Sequence, residues 1–197
     1  MNIGVISDIH SDIDALDTVL ERLDRVHKVD MILCAGDIIG RGPSPDEVVT
    51  RIRERGIPTV KGNHDEWAAN LAPENAAFLK QLPIDWQTDI EGQHIFMCHG
   101  KPGNNLWGMY RDHLSSTYVN LMLRDLGADV MITGHTHMPL YMRVEQGVLI
   151  NPGSLYTFDS MRPSSHTYGV LHLPQMTFDL YDVLTETVEP VPLEELS

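Results

Sequence analysis

Along the chain, short continuous apolar runs alternate with segments whose apolar residues recur every three or four positions. Asn2-Ile3-Gly4-Val5-Ile6-Ser7 and Met31-Ile32-Leu33-Cys34-Ala35 are runs of the kind buried on both faces in parallel sheets. Between them, Ile13, Leu16, Val19, Leu20 and Leu23 form a one-sided helical stripe, with Ser11 and Asp12 as caps. Ser44-Pro45, a cap and a first-turn proline, opens a second helix through Val48, Val49 and Ile52, closed by Gly56. Residues 58–60 read as a third strand, 73–82 as a short helix, and 86–90 and 94–98 as strands joined at Glu91-Gly92. Ser115 or Ser116 caps a helix through Leu121, Leu123 and Leu126 that Gly127 ends, and 130–133 is another buried strand. The remainder reads as strand at 140–144, 148–150, 168–173 and 177–183, with an acidic, proline-bearing tail from Thr185 expected to be only partly ordered. The alternation of strands and helices predicts an α/β class. Without repeats, low-complexity runs or linkers, one domain over residues 1–197 is expected.

Polar residues fall at the ends of these runs in a pattern. Asp8-Ile9-His10 follows the first strand, and on extended chain residues i and i+2 share a face. Gly36-Asp37 follows the second, Gly62-Asn63-His64-Asp65 the third, His99-Gly100 the strand at 94–98, and Gly134-His135-Thr136-His137 the strand at 130–133. The carboxyl edge of an open α/β sheet is where ligands bind. Carboxylate and imidazole together suit a borderline transition metal, and the two oxygens of one Asp can hold two ions. Each segment alone has an ordinary explanation as a cap or a turn. Those explanations give no reason for all five to stand at strand ends. His27, His94, His113, His166 and His172 lack that setting and read as structural. The loop 101–111 carries Trp107, Tyr110 and Arg111, which equally suit lining a pocket or packing the loop down.

Charge narrows the partners. With 28 acids against 14 bases the net charge is −14, which repels nucleic-acid phosphates and argues against sequence-independent binding to duplex DNA. Cys34 and Cys98 each end an apolar run and read as small core residues rather than a disulfide, in keeping with a reducing compartment. The N-terminus enters a strand with no basic region, so no signal peptide is expected. No apolar run reaches the roughly 20 residues that span a bilayer. The expectation is a soluble cytoplasmic protein, with self-association left open.

Taken together, the five segments resemble the calcineurin-like metallophosphoesterase family, whose signature runs D-x-H, G-D, G-N-H-[D/E], H and G-H-x-H. The matches are Asp8-Ile9-His10, Gly36-Asp37, Gly62-Asn63-His64-Asp65, His99 and Gly134-His135-Thr136-His137, covering roughly residues 1–155. His99-Gly100-Lys101-Pro102 with Trp107, and the turn Asn151-Pro152-Gly153-Ser154, resemble the small bacterial and archaeal branch. The resemblance implies a four-layer α-β-β-α sandwich with two mixed sheets and the metal site at the strand ends. It implies two divalent transition-metal ions, manganese being the expected occupant and iron, cobalt, nickel or zinc accommodated. Carried over, Asp8, His10, Asp37 and His137 hold the first metal, and Asp37, Asn63, His99 and His135 the second. A hydroxide between the metals then attacks phosphorus in line while His64, off the metals, protonates the leaving oxygen.

One departure bears on the substrate. Protein phosphatases of the family place an acid before the arginine, where it orients the histidine matching His64. This chain has Gly40 there and keeps Arg41, which argues against a protein phosphatase and leaves Arg41 as a phosphate clamp. The expected function is a phosphodiesterase or phosphatase on small-molecule esters, with Arg41, Trp107, Tyr110, Arg111 and Tyr156 on the substrate side. An alternative is hydrolysis of dinucleoside polyphosphates, with Trp107, Tyr110 or Tyr156 stacking a nucleobase. A non-catalytic scaffold is a further alternative, disfavoured because relatives of that kind have lost ligands that this chain keeps.

Overall fold

Successive residues of a strand face opposite sides, so each strand's alternation says which layers it separates. In the computed structural model, which describes residues 1–67, 71–157, 166–193 and 195–196, β1 (Asn2–Ile6) turns Ile3 and Val5 toward one core and Ile6 toward another. β2 (Met31–Cys34) divides the same way, with Leu33 on one side and Ile32 and Cys34 on the other. The core containing Ile6 is closed by α1 (Ile13–Arg22), α2 (Pro45–Glu54) and α3 (Pro73–Gln81), through Leu16, Val19, Val48, Ile52 and Leu79.

Beyond the hairpin of β3 (Asp85–Ile90) and β4 (Gln93–Cys98), α4 (Ser116–Leu126) leads into β5 (Val130–Ile132). Ile95, Met97, Val130 and Ile132 meet Ile3, Val5 and Leu33 in the central core, while Phe96, Cys98 and Met131 face Val119 and Leu123 of α4. The layers are therefore helices, sheet, sheet and helix, the sandwich expected from the sequence.

β6 (Leu140–Arg143), β7 (Val148–Asn151), β8 (Thr167–His172), β9 (Thr177–Asp182), β10 (Pro190–Val191) and β11 (Glu195–Leu196) complete two mixed sheets. Their orders are β10-β9-β8-β1-β2 and β11-β6-β7-β5-β4-β3. β1 runs parallel to β2, and β4, β5 and β7 run parallel to one another, so several carboxyl ends emerge together.

Four local expectations change. Residues 58–60 make a single bridge from Thr59 to Cys34 instead of a strand. Pro58 has no N–H for a ladder, and Lys61 already turns away to donate to Pro83 O at 2.7 Å. Ser44 occupies the N-cap of α2 without a side-chain cap bond, whereas Asp12 caps α1 and Ser115 caps α4 as expected. Asp8 and His10 are not on extended chain, with φ of 52° and 49°. The tail contributes an edge strand to each sheet, β10 on β9 and β11 on β6. Cys34 and Cys98 are free and buried, and burial raises both thiols, Cys34 to about 12, which makes them inert core residues. Among the described residues, no helix is long and apolar enough to cross a membrane.

Candidate metal centre

The turns after β1 and β2 are laced together by backbone bonds. Asp8 N donates to Gly36 O at 3.0 Å, His10 N to Asp37 O at 3.0 Å, and Ser11 N to Ile38 O at 2.9 Å. Gly134 N donates to His99 O at 2.8 Å, which joins the turns after β4 and β5. To aim inward from these turns, Asp8, His10, Asp37, His135 and His137 all take a left-handed backbone, with φ between 49° and 67°. That region costs an ordinary residue roughly 1–2 kcal/mol, and such strain concentrates at functional sites.

The side chains converge in two overlapping groups. In the first, Asp8 Oδ1 lies 3.2 Å from His137 Nε2, and His10 Nε2 lies 3.0 Å from His137 Nε2. In the second, His99 Nε2 and His135 Nδ1 stand 3.3 Å apart, with Asn63 Oδ1 at 3.3 and 3.0 Å from them. Asp37 Oδ2 belongs to both, 3.8 Å from His10 Nε2 and 3.3 Å from His99 Nε2. Two imidazole nitrogens facing each other at such distances cannot both carry protons comfortably. Lone pairs gathered on a common point are the arrangement that a cation satisfies.

Further contacts test the fit. Asp8 Oδ2 accepts from Ser7 Oγ at 2.7 Å and from His135 N at 3.0 Å, whereas its buried Oδ1 has no hydrogen-bond partner. That orphaned oxygen is the one turned toward His137. His99 donates Nδ1–H to Ala35 O at 2.7 Å, which fixes its ring and leaves Nε2 for ligation. Burial works to lower the His99 pKa, but the charge and hydrogen bond of Asp37, with Asp8 behind it, push it up to about 10. Burial likewise works to raise Asp8, and its contact with His137 and the charges of His99, His137 and His10 hold it well below the usual carboxylate range. His10 goes the other way, burial bringing it down to about 4 despite Asp8 and Asp37. A proton on His99 thus compensates buried carboxylate charge that a bound cation would compensate instead. The donor set fits divalent metals.

His64 stands at the cluster's solvent side. Its backbone N–H donates to Asp37 Oδ1 at 2.8 Å, and its ring meets His10 edge-on with centroids 4.8 Å apart. One of its ring nitrogens lies within 4.8 Å of the ligand atoms of His10 and Asp37. Gly40 has a steric reason to be glycine, because a Cβ there would run into His10 Nδ1. The histidine next to this position is therefore His10.

Above the cluster opens a cavity of about 400 Å³, lined by Asp37, Arg41, Asn63, His64, Tyr110, His135, Thr136, His137 and Met138. Of the residues expected on the substrate side, Arg41 and Tyr110 line it. Trp107, Arg111 and Tyr156 do not. Trp107 N donates to Asn104 Oδ1 at 3.1 Å in a tight turn that leaves the indole 68% exposed. Arg111 starts a short exposed helical turn. Tyr156 is buried, its ring against His10 at 5.6 Å and its N–H near Asp8 O at 3.3 Å, so it props the first group from behind. The five control histidines lie elsewhere: His27 pairs with Tyr168, His94 with Asp89, His172 with Asn2 and Asp179, His166 with Tyr156 O, and His113 packs beside Tyr110.

Two residues without an expected role prove central to the geometry. Asp65 is buried and accepts from Asp37 N at 3.0 Å, Gly62 N at 2.8 Å and Ile39 N at 3.1 Å. Burial and the charge of Asp37 push its carboxyl up to about 7. Asn151, at the end of β7, donates to Gly134 O at 2.8 Å and holds the turn bearing His135 and His137. The sequence signal for Asp65 was its place in the Gly62-Asn63-His64-Asp65 motif, which named the position without its job.

Fold and cluster together define a two-sheet α/β protein with a candidate metal centre at the carboxyl ends of its strands. The model of the calcineurin-like phosphoesterase superfamily domain matches residues 1–176, and the chain belongs to that superfamily of phosphoester hydrolases. It is 33% identical to a probable metallophosphoesterase of Methanothermobacter thermautotrophicus over 156 residues, 78% of this chain and 77% of that protein. It is 29% identical to the phosphodiesterase YfcE of Escherichia coli over 184 residues, 87% of each chain. The solved metallophosphoesterase of Sphaerobacter thermophilus superposes with a TM-score of 0.70 at 25% identity, over 91% of this chain and 87% of that one.

Proposed function

We propose that this chain hydrolyses small-molecule phosphate esters at a centre of two divalent metal ions. Asp8, His10, Asp37 and His137 would hold one ion, and Asp37, Asn63, His99 and His135 the other. The observation that carries the reading is the position of Asp37 Oδ2, within 3.8 Å of a ligand nitrogen of each group. Bound there, the ions would supply Lewis acidity to the phosphoryl oxygens and an activated water. The chain's own groups supply the rest. Asp8 and Asp37 are the only carboxylates among the proposed ligands, so the loaded site keeps net positive charge for an anionic ester. His64, which lines the cavity and is reached by solvent, would hand a proton to the leaving oxygen.

Asp37→Asn tests the bridging role directly. It removes the shared charge with little change in size, so metal per chain by elemental analysis should fall by about half or more, together with the rate. A variant that retains both metals and near-parental turnover would overturn the assignment.

Arg41 is the one lysine or arginine among the described lining residues of the cavity. A monoester dianion carries charge that a diester lacks, and a guanidinium can answer it with paired hydrogen bonds. Arg41→Ala should therefore lower kcat/KM about tenfold more for a phosphomonoester than for a diester with the same leaving group. Equal losses for the two would count against the clamp.

A further inference from the structure

The cavity has two chemically different ends. Arg41 and His64 belong to the end built around His10, through the Gly40 approach and the edge-on ring contact. Tyr110, Thr136 and Met138 belong to the end built around His135. Gly108 fixes that arrangement, since a Cβ there would lie 2.8 Å from His135 Cδ2, 2.9 Å from Thr136 Cγ2 and 2.9 Å from Tyr110 Cε2. Loop 101–111 is thereby pressed against the ligand-bearing turn with the Tyr110 ring at its edge. On the same turn, Thr136 Oγ1 accepts from Met138 N at 3.3 Å, which holds Met138 over the cavity. Both side chains keep apolar surface in the open, Met138 at 52% exposed and Tyr110 at 43%.

A phosphoryl group occupies only a small part of about 400 Å³. The leaving oxygen must reach His64, so the apolar end faces a different substituent of the phosphorus. We propose that Tyr110 and Met138 receive the non-leaving ester group, and that the substrates are phosphodiesters carrying an aromatic or other flat apolar group there. An aromatic ring suits this wall, because a thioether and a phenol both contact ring faces and edges favourably. The inference rests on the phosphoesterase reading above and narrows its substrate class.

Bis(p-nitrophenyl) phosphate and methyl p-nitrophenyl phosphate test it. Both are monoanionic diesters that release the same nitrophenolate, and they differ in the group left on phosphorus. The quantity read is the ratio of their kcat/KM values, and its change on mutation cancels their intrinsic difference in reactivity. Met138→Ala and Tyr110→Ala should each shrink the ratio about three- to tenfold, whereas Tyr110→Phe, which keeps the ring, should retain it. Turnover of both esters by the metal-loaded protein, with the ratio unchanged in both alanine variants, overturns this inference alone. No turnover of either ester by the parent protein overturns it together with the phosphoesterase reading.

Discussion

Replacing Asp65 with alanine is expected to lower the stability of the fold by about 3 kcal/mol and to strip metal from the site as well. The carboxylate accepts from three backbone N–H groups, of Asp37, Gly62 and Ile39, at 2.8–3.1 Å, and it is only 3% exposed. An alanine leaves those donors in a buried space without acceptors, at roughly 1–3 kcal/mol for each one that cannot relax toward water. Relaxation of the loops recovers part of this, so the lower end of the sum is the expected value. The same bonds tie the Asp37 turn to the Gly62–His64 turn, so loosening them separates Asp37 from Asn63. Asp65→Asn keeps the shape and one acceptor oxygen, but sets an amide NH2 against at least one N–H. It should fall between the parent and the alanine variant. The urea midpoint at constant m-value gives the stability change, and elemental analysis gives the metal content. An alanine variant with an unshifted midpoint would mean that Asp65 does not hold these turns together.

The layers of this fold were legible through the family resemblance, not through the strands themselves. Ile95 and Met97 face the central core while Phe96 and Cys98 face the one under α4, yet all four are apolar, so the run shows burial on both faces without saying which core lies on which side. Strand order was less legible. β1 pairs with β8 from the far end of the chain, Asn2 opposite His172, and nothing local in either segment specifies that partner. The tail strands escaped notice for a different reason, since two residues are too few to show a period. At the site, the identity of the clustered residues was readable and their geometry was not. Asp8 and His10 were expected to share a face of extended chain, yet the chain has already curled into the left-handed region after Ile6. What turns them inward is the stitching of Asp8 N and His10 N to the carbonyls of Gly36 and Asp37, a contact between segments that no spacing within one segment encodes. Tyr156 was misplaced by the same blindness. An aromatic near the motifs suited a stacking surface, but the bonds of its turn to Asp8 O, from Ser154 Oγ at 2.9 Å and Tyr156 N at 3.3 Å, bury it behind His10.

His64→Asn is expected to leave both metals bound and to slow hydrolysis by about 10²–10⁴-fold for an ester with an alkyl or nucleoside leaving group. Such an oxygen departs as a high-energy alkoxide unless a proton reaches it during bond breaking. With p-nitrophenolate, already stable as an anion, the loss should be much smaller. The substitution is suited to the question because the anchoring bond of this residue, to Asp37 Oδ1, comes from its backbone and survives the change of side chain. Asparagine also stays polar beside His10, so the edge contact between the two rings is lost without an apolar group being placed against the cluster. Two rival roles predict different outcomes. A ring that ligates a metal, which its closeness to the ligand atoms of His10 and Asp37 would permit, predicts a fall in metal content. A ring that merely packs the turn predicts equal rate losses for good and poor leaving groups. Rates for a nitrophenyl and an alkyl ester, taken at matched metal occupancy, separate all three, and only a leaving-group-dependent loss with both metals retained supports proton donation by His64.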